Sequence, residues 1–265
     1  MAFEYLNIAL HEIDIKADDK ESNLDALCSA TMPHCDAVDI AVVPELFTTG
    51  FISDKDKAFA ASERNTEATI NRLHGLSKQL NSALCGSFMA HTASKIYNRA
   101  FFIEPSGDEV FYDKRHLFGM GGESYVFTAG NSAAPVVRFR GWNVKLIICY
   151  DLRFPVFCRN RRNEYDVLVV VANWPEARQK AWLRLLSARA IENCCYVCGV
   201  NRRGVDAQGN SYGAGSSVII DYKGDIIAQT SETASICAAS LSKDKLDNFR
   251  QKFAVWNDAD DFVIK

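Results

Sequence analysis

Each of three short strand-like segments in this sequence ends at a chemically reactive side chain. Residues 40–44 run into Glu45, residues 109–113 into Lys114, and residues 145–148 into Cys149. In an open α/β sheet, ligands bind in the crevice beyond the carboxyl ends of the strands. If these segments are strands of such sheets, a carboxylate, an ammonium group and a thiol meet in one pocket. There they can act as a base, an oxyanion partner and a nucleophile.

Strand-like apolar runs alternate with helical stretches along the whole chain. Leu73, Leu76 and Leu80 recur at helical spacing, whereas residues 167–172 form the unbroken apolar run that is typical of a buried strand. A turn at residues 105–108 predicts a hairpin. This mixture of hairpins and crossovers predicts an α/β fold with mixed sheets, helices packed outside, and one domain over residues 1–265. Further helices are predicted over residues 20–31, 65–80, 156–163, 177–193 and 242–252.

Composition excludes several classes of protein. Of the 265 residues, 48% are hydrophobic and 24% charged, as in ordinary globular domains. The formal net charge of -3 gives no electrostatic reason to expect a nucleic acid or an anionic membrane as partner. The longest apolar run is too short to span a bilayer. The first residues do not resemble a signal peptide, and nine scattered cysteines favour free thiols in a reducing cytoplasm.

Cys149 is the candidate nucleophile, although free cysteines at such positions are often structural. If a helix starts near Leu152, its amino end would favour the thiolate. A thiol also needs a base. His116 is the only histidine near the candidate site, so a Cys–His hydrolase is an alternative, but Glu45 is the better candidate.

An oxyanion formed at this site needs hydrogen-bond donors. Lys114 lies in a charged stretch that is either a solvated loop or a fixed positive charge beside the reacting carbonyl. The backbone N–H of Tyr150, the residue after the candidate nucleophile, is a second donor by analogy with other acyl-transfer sites.

Other polar and aromatic residues have two interpretations each. Asn173 and Trp174 follow a predicted buried strand and either line the crevice or pack in the core. Arg153 either binds a substrate carboxylate or forms a structural ion pair. Cys195 and Cys198 have CxxC spacing, but in a strand they face opposite sides and no second pair exists, which argues against a zinc or redox site.

Taken together, the segments 43–47, 112–118 and 149–155 resemble the nitrilase, or carbon–nitrogen hydrolase, superfamily. The resemblance extends over nearly the whole chain. It implies a four-layer αββα sandwich with two mixed sheets, which assembles as a homodimer or higher oligomer across helices near the nucleophile. It implies that Glu45 is the base, that Lys114 stabilises the tetrahedral intermediate and that Cys149 is acylated. It also implies a second glutamate, matched by Glu123, and no metal or organic cofactor.

Within the superfamily the sequence is most similar to ω-amidases, on the segments 172–178, 188–193, 199–204 and 212–216. This similarity implies hydrolysis of the terminal amide of small dicarboxylate monoamides, such as α-ketoglutaramate or succinamate. Phe118, at the start of a glycine-rich loop, joins the candidate substrate contacts. An N-carbamoyl hydrolase, a nitrilase and a non-catalytic protein with the same fold are the alternatives.

Overall fold

The computed structural model describes residues 4–17, 19–31 and 38–264. The strands within these ranges are β1 (Tyr5–His11), β2 (Ile40–Val42), β3 (Ala83–Thr92), β4 (Lys95–Ile103), β5 (Glu109–Asp113), β6 (Val136–Phe139), β7 (Trp142–Ile148), β8 (Val167–Ala172), β9 (Tyr196–Asn201), β10 (Gly204–Val205), β11 (Ser211–Tyr212), β12 (Val218–Ile220), β13 (Ile226–Gln229) and β14 (Ile236–Ser242). The α-helices are α1 (Lys20–Thr31), α2 (Lys55–Ala61), α3 (Ala68–Leu80), α4 (Glu123–Val126), α5 (Pro155–Cys158), α6 (Gln179–Asn193) and α7 (Lys243–Lys252).

Two six-stranded sheets contain most of these strands. The first has the order β14-β1-β2-β3-β4-β5 and the second the order β13-β12-β9-β8-β7-β6. In each sheet the central pairs are parallel and the outer pairs antiparallel, so the prediction of mixed sheets is confirmed. Parallel strands end at the same edge, which gives each sheet one edge where several chain segments leave together.

The two sheets pack face to face, with helices on the outside. In β1, Ile8 and Leu10 belong to the core that also contains the second sheet, whereas Ala9 faces the other way, toward α1 and α3. Helix α6 packs on β9 and β12, and at Gly199 a Cβ atom would lie 2.4 Å from the Leu186 side chain. The predicted αββα sandwich is therefore confirmed. No helix in the described ranges combines the length and apolarity that a membrane span requires.

One local prediction differs from the structure, and two elements were not predicted. The helix predicted over residues 156–163 is wrong, because α5 ends at Cys158 and Arg162 adopts a left-handed φ of 52°. The buried Asn160 amide binds the carbonyl oxygens of Tyr165 and Asn193, and this competes with helix continuation. Strand β14, made of small residues, and α2, in which Ala58 alone is buried, lack the periodicity that would reveal them in the sequence.

A buried carboxylate ties the end of the first sheet to the second. Glu12 follows β1 and is 1% exposed. Its oxygens accept hydrogen bonds from seven groups, six of which lie just before β12 or just after β13, and it forms an ion pair with Arg203 at 3.1 Å. The seven groups are the Arg203 guanidinium, the backbone N–H groups of Gly215, Ser216 and Ser217, and the hydroxyls of Ser216, Ser217 and Thr230.

We expect Glu12→Gln to lower the free energy of unfolding by about 3 kcal/mol, because an amide N–H₂ would face hydrogen-bond donors in a buried place. Urea denaturation followed by circular dichroism measures the change. The matched control is Glu232→Gln, which removes the same charge from an exposed position and should change the stability by less than about 0.5 kcal/mol. Equal stabilities for the two variants would contradict the structural role of Glu12.

Candidate active site

The carboxylate of Glu45 links the two sheets at the edge where their parallel strands end. Glu45 follows β2 and is 2% exposed. Its Oε1 accepts hydrogen bonds from Lys114 Nζ at 2.8 Å and from Asn98 Nδ2 at 2.7 Å. Its Oε2 accepts a hydrogen bond from the backbone N–H of Asn173, just after β8, at 2.8 Å. Each sheet therefore contributes to holding this carboxylate.

The Lys114 ammonium lies between two carboxylates. Its Nζ donates hydrogen bonds to Glu45 at 2.8 Å and to Glu123 Oε1 at 2.7 Å, and its side chain is shielded from solvent. Burial favours the neutral amine, but the charges of Glu123 and Glu45 outweigh it and raise the pKa of Lys114 well above its ordinary value. Lys114 is thus positively charged, and one of its three N–H donors is not used by these carboxylates.

The backbone of Lys114 is held in place by neighbouring strands and by a close approach of the chain. Its N–H donates to the carbonyl of Asn98 at 2.9 Å, which continues the β4–β5 hairpin register. Its carbonyl accepts from the N–H of Gly130 at 2.9 Å. A Cβ atom at Gly130 would lie 2.1 Å from the Asp113 carbonyl oxygen, so only glycine fits there.

Glu123 connects the ammonium to the glycine-rich loop. It is the first residue of α4, and its Oε2 accepts from the backbone N–H of Phe118 at 2.7 Å. Burial raises the pKa of Glu123, with the charge of Lys114 opposing and the charge of Glu45 reinforcing that rise. The hydrogen bond holds Phe118 and the loop that follows it at the wall of the site.

Cys149 begins a sharp turn immediately after β7. Its φ of 44° is left-handed, which is uncommon for any residue other than glycine and is typical of strained functional positions. The short 3₁₀ turn Cys149–Arg153 starts at the cysteine itself and not near Leu152, as the sequence suggested. Burial, followed by the charge of Glu45, raises the pKa of the Cys149 thiol well above its ordinary value, with Lys114 opposing. Burial and the charge of Glu45 thus oppose the thiolate stabilisation that the sequence predicted from a helix amino end.

A buried aspartate couples the lysine segment to the cysteine segment. Asp151 accepts hydrogen bonds from Tyr112 Oη at 2.9 Å and from the Ile148 N–H at 3.1 Å. It also accepts from the backbone N–H of His116 and contacts its Nδ1 at 2.8 Å. The imidazole stacks on Phe154 at 3.9 Å and does not line the cavity, so the geometry does not support a Cys–His pair.

One cavity of about 310 Å³ contains the cysteine and both glutamates, a volume near the lower limit of small-molecule sites. The lining residues are Glu45, Leu46, Phe51, Phe118, Met120, Gly121, Glu123, Cys149, Asn173, Pro175, Arg178, Asp206, Asn210 and Tyr212. The fold therefore brings together five residues that the sequence singled out: Glu45, Phe118, Glu123, Cys149 and Asn173.

Four other candidates lie outside this lining, and one of them, Lys114, is hydrogen-bonded to the lining residues Glu45 and Glu123. The Trp174 ring packs against Trp182 at 5.3 Å in the core, and the Arg153 guanidinium lies over the Trp174 ring at 4.8 Å. The side chain of Tyr150 packs between Phe118 and Phe154, and its expected role concerns only its backbone N–H. The structure thus does not bring Arg153 or Trp174 to the cavity.

Several residues of the site were missed in the sequence. Asn98 was not singled out. The hairpin was predicted, however, and one further residue pair beyond Arg99 and Asp113 places Asn98 opposite Lys114. No local pattern marks Arg178 or Asp206 as cavity residues, because distant segments bring them there. Among the described residues, no three His, Cys, Asp or Glu side chains form a group that could bind a metal ion.

Comparison with known proteins agrees with this geometry. A model of the carbon-nitrogen hydrolase family matches residues 7–251. The chain belongs to this family. Omega-amidase YafV from Escherichia coli K12 is 44% identical over 227 residues, which cover 85% of this chain and 86% of that protein. The resemblance to the nitrilase superfamily, and to ω-amidases within it, is confirmed.

Two further relatives extend the comparison. The 2-oxoglutaramate amidase of Bacillus subtilis 168 is 30% identical over 226 residues, covering 83% of this chain and 84% of that protein. The crystal structure of XC1258 from Xanthomonas campestris, a CN-hydrolase superfamily protein with an arsenic adduct in its active site, matches with a TM-score of 0.94. It is 35% identical and covers 99% of this chain and 100% of that one.

We expect Glu45→Gln to lower the pKa of the Cys149 thiol, because the substitution removes a negative charge that disfavours the thiolate while Lys114 stays positive. The pH profile of Cys149 alkylation by iodoacetamide, read by peptide mass spectrometry, should shift to lower pH. Amide hydrolysis should nevertheless fall by about 10²–10⁴-fold, since Glu45 is the expected base.

Asp206→Asn is the matched control for this experiment. It removes a carboxylate that lines the same cavity but is not among the main causes of the raised thiol pKa, so the alkylation profile should stay in place. A Glu45→Gln profile that coincides with the wild-type profile would contradict the assigned electrostatics.

Proposed function

We propose that this protein is a cysteine-dependent amidase that hydrolyses the terminal amide of small dicarboxylate monoamides, such as α-ketoglutaramate or succinamate, to the acid and ammonia. The observation that carries the proposal is the Glu45–Lys114–Glu123 ion cluster, which borders the same small cavity as the Cys149 thiol. The names of the relatives, omega-amidase and 2-oxoglutaramate amidase, support this substrate class.

In the proposed first step, Cys149 Sγ attacks the amide carbonyl carbon while its proton passes to Glu45. A thiol with a raised pKa stays protonated until the attack, and this couples proton transfer to carbon–sulfur bond formation. The carbonyl π electrons move to oxygen, where the remaining N–H donor of Lys114 and the Tyr150 N–H stabilise the negative charge. Removal of one such donor typically lowers kcat by about 10²–10³-fold.

In the second step, the protonated Glu45 gives its proton to the amide nitrogen as the carbon–nitrogen bond breaks. Ammonia leaves and a thioester to Cys149 remains. Glu45 then takes a proton from a water molecule, whose oxygen attacks the thioester carbonyl. The carbon–sulfur bond breaks, the acid is released, and Glu45 returns the proton to the thiolate. In this scheme Glu123 fixes the Lys114 ammonium and orients the amide and the water, and no cofactor takes part.

We also infer a homodimer in the cytoplasm. Two exposed apolar side chains support an assembly across the helices near the nucleophile, Val156 in α5 at 56% and Ile191 in α6 at 55% exposure. The described cysteines are all free, which suits a reducing compartment. Light scattering of the purified protein should give about twice the 29.5 kDa chain mass, and a monomer mass would reject the dimer.

Cys149→Ala should reduce ammonia release from α-ketoglutaramate or succinamate by at least about 10⁴-fold, because no other residue of the described cavity lining carries a thiol that could form the thioester. The matched control is Cys28→Ala, which removes a half-buried thiol on α1, outside the cavity lining, and should leave turnover unchanged. Retained hydrolysis in the Cys149 variant would reject the mechanism.

Mass spectrometry of the wild-type enzyme, quenched during turnover, tests the intermediate directly. The mass gain should equal the acyl group of the amide used, and the modified peptide should contain Cys149. A product panel scored for ammonia, carbon dioxide and carboxylate separates an amidase from an N-carbamoyl hydrolase or a nitrilase. No turnover of any amide would favour a non-catalytic protein.

A further inference from the structure

Charge is distributed unevenly around the cavity. At its catalytic end, Glu45 and Glu123 bring two carboxylates against the single ammonium of Lys114. Arg178, by contrast, is an exposed cationic side chain in the lining. The cavity therefore has a catalytic end rich in carboxylates and a positive group at the solvent side, and this polarity can distinguish the two ends of a substrate.

Arg178 is held in position without being neutralised. Its guanidinium lies over the ring of Phe118, 5.1 Å from the centroid, and its carbonyl accepts from the Trp174 indole N–H at 2.9 Å. An aromatic ring supports a guanidinium while leaving its N–H donors available for a planar acceptor. In the part of the chain that the structure describes, no carboxylate forms an ion pair with Arg178.

Asp206, the other acidic side chain of the lining, already has its own partners. Its Oδ1 accepts from the N–H groups of Gln208 at 3.0 Å and Asn210 at 2.8 Å. Its Oδ2 accepts from Asn210 Nδ2 at 2.9 Å and from the Tyr212 hydroxyl at 2.8 Å. Four donors fill the carboxylate, so Asp206 is engaged with its own turn and leaves the Arg178 guanidinium open to a ligand.

We propose that Arg178 is the specificity-determining residue of this enzyme and binds the distal carboxylate of the substrate. The assignment rests on the proposed amidase function and adds the group that selects acidic amides. Paired N–H donors of a guanidinium match the two oxygens of a carboxylate. The carboxylates of Glu45 and Glu123 repel the acid end of the substrate, so the amide end enters toward Cys149.

This assignment replaces Arg153, the residue that the sequence suggested for the same task. Both arginines contact an aromatic ring near the site, but Arg153 lies over Trp174 and does not line the cavity. Arg153 is thus a matched control for Arg178, because it has the same side chain and a similar cation–π contact.

The test compares succinamate with succinamide, in which a neutral amide replaces the carboxylate at equal chain length. In Arg178→Gln, kcat/KM for succinamate should fall by about 10- to 100-fold, mainly through KM, while kcat/KM for succinamide changes by less than about threefold. Arg178→Lys should recover part of the loss, since it restores the charge without the planar fork. Arg153→Gln should keep the wild-type preference.

A second measurement is independent of turnover. Butyrate, a monocarboxylate, should protect Cys149 from iodoacetamide in the wild type and in Arg153→Gln, but at least about tenfold more butyrate should be needed in Arg178→Gln. Equal protection, or an unchanged preference for succinamate over succinamide in Arg178→Gln, would overturn the assignment. If the wild type releases no ammonia from any dicarboxylate monoamide, the proposed function itself fails. The two failures are therefore distinguishable.

Discussion

The site depends on the buried ion pairs that the Lys114 ammonium forms with Glu45 and Glu123. Placing three charged groups away from water costs several kcal/mol per ion, and their mutual attraction offsets this only when the remaining hydrogen bonds are satisfied. Groups from both sheets and from the glycine-rich loop complete the bonding: Asn98 and the Asn173 N–H on Glu45, and the Phe118 N–H on Glu123. The contacts that stabilise the charges are therefore the same contacts that set the geometry of the proposed active site.

The same charges determine the resting state of Cys149, the proposed nucleophile. Glu45 and burial keep the Cys149 thiol protonated, while Lys114 acts in the opposite direction. A protonated thiol next to a carboxylate is a weak nucleophile until a carbonyl group arrives to accept the developing negative charge. Reactivity then depends on substrate binding, which fits a small cavity with a cationic side chain on its solvent side.

Sequence reasoning succeeded where the information is local. Strand ends are marked by a change from apolar to polar residues, so Glu45, Lys114 and Cys149 could be assigned to one edge of the fold before any coordinates. Sequence reasoning failed where tertiary contacts override the local pattern of apolar and polar residues. The helix predicted over residues 156–163 stops because Asn160 bonds to distant carbonyl groups, and β14 forms because β1 offers an unpaired edge.

The sequence by itself determined the fold class, the family and the order in which the reactive side chains reach the strand ends, since these follow from periodicity and from contiguous motifs. Only the tertiary structure decided which neighbours surround them. Arg178 rather than Arg153 reaches the cavity, and Trp174 packs in the core, because the direction of a side chain depends on where its turn meets the other sheet. The raised pKa of Cys149 likewise arises from burial and from Glu45, which is distant in sequence.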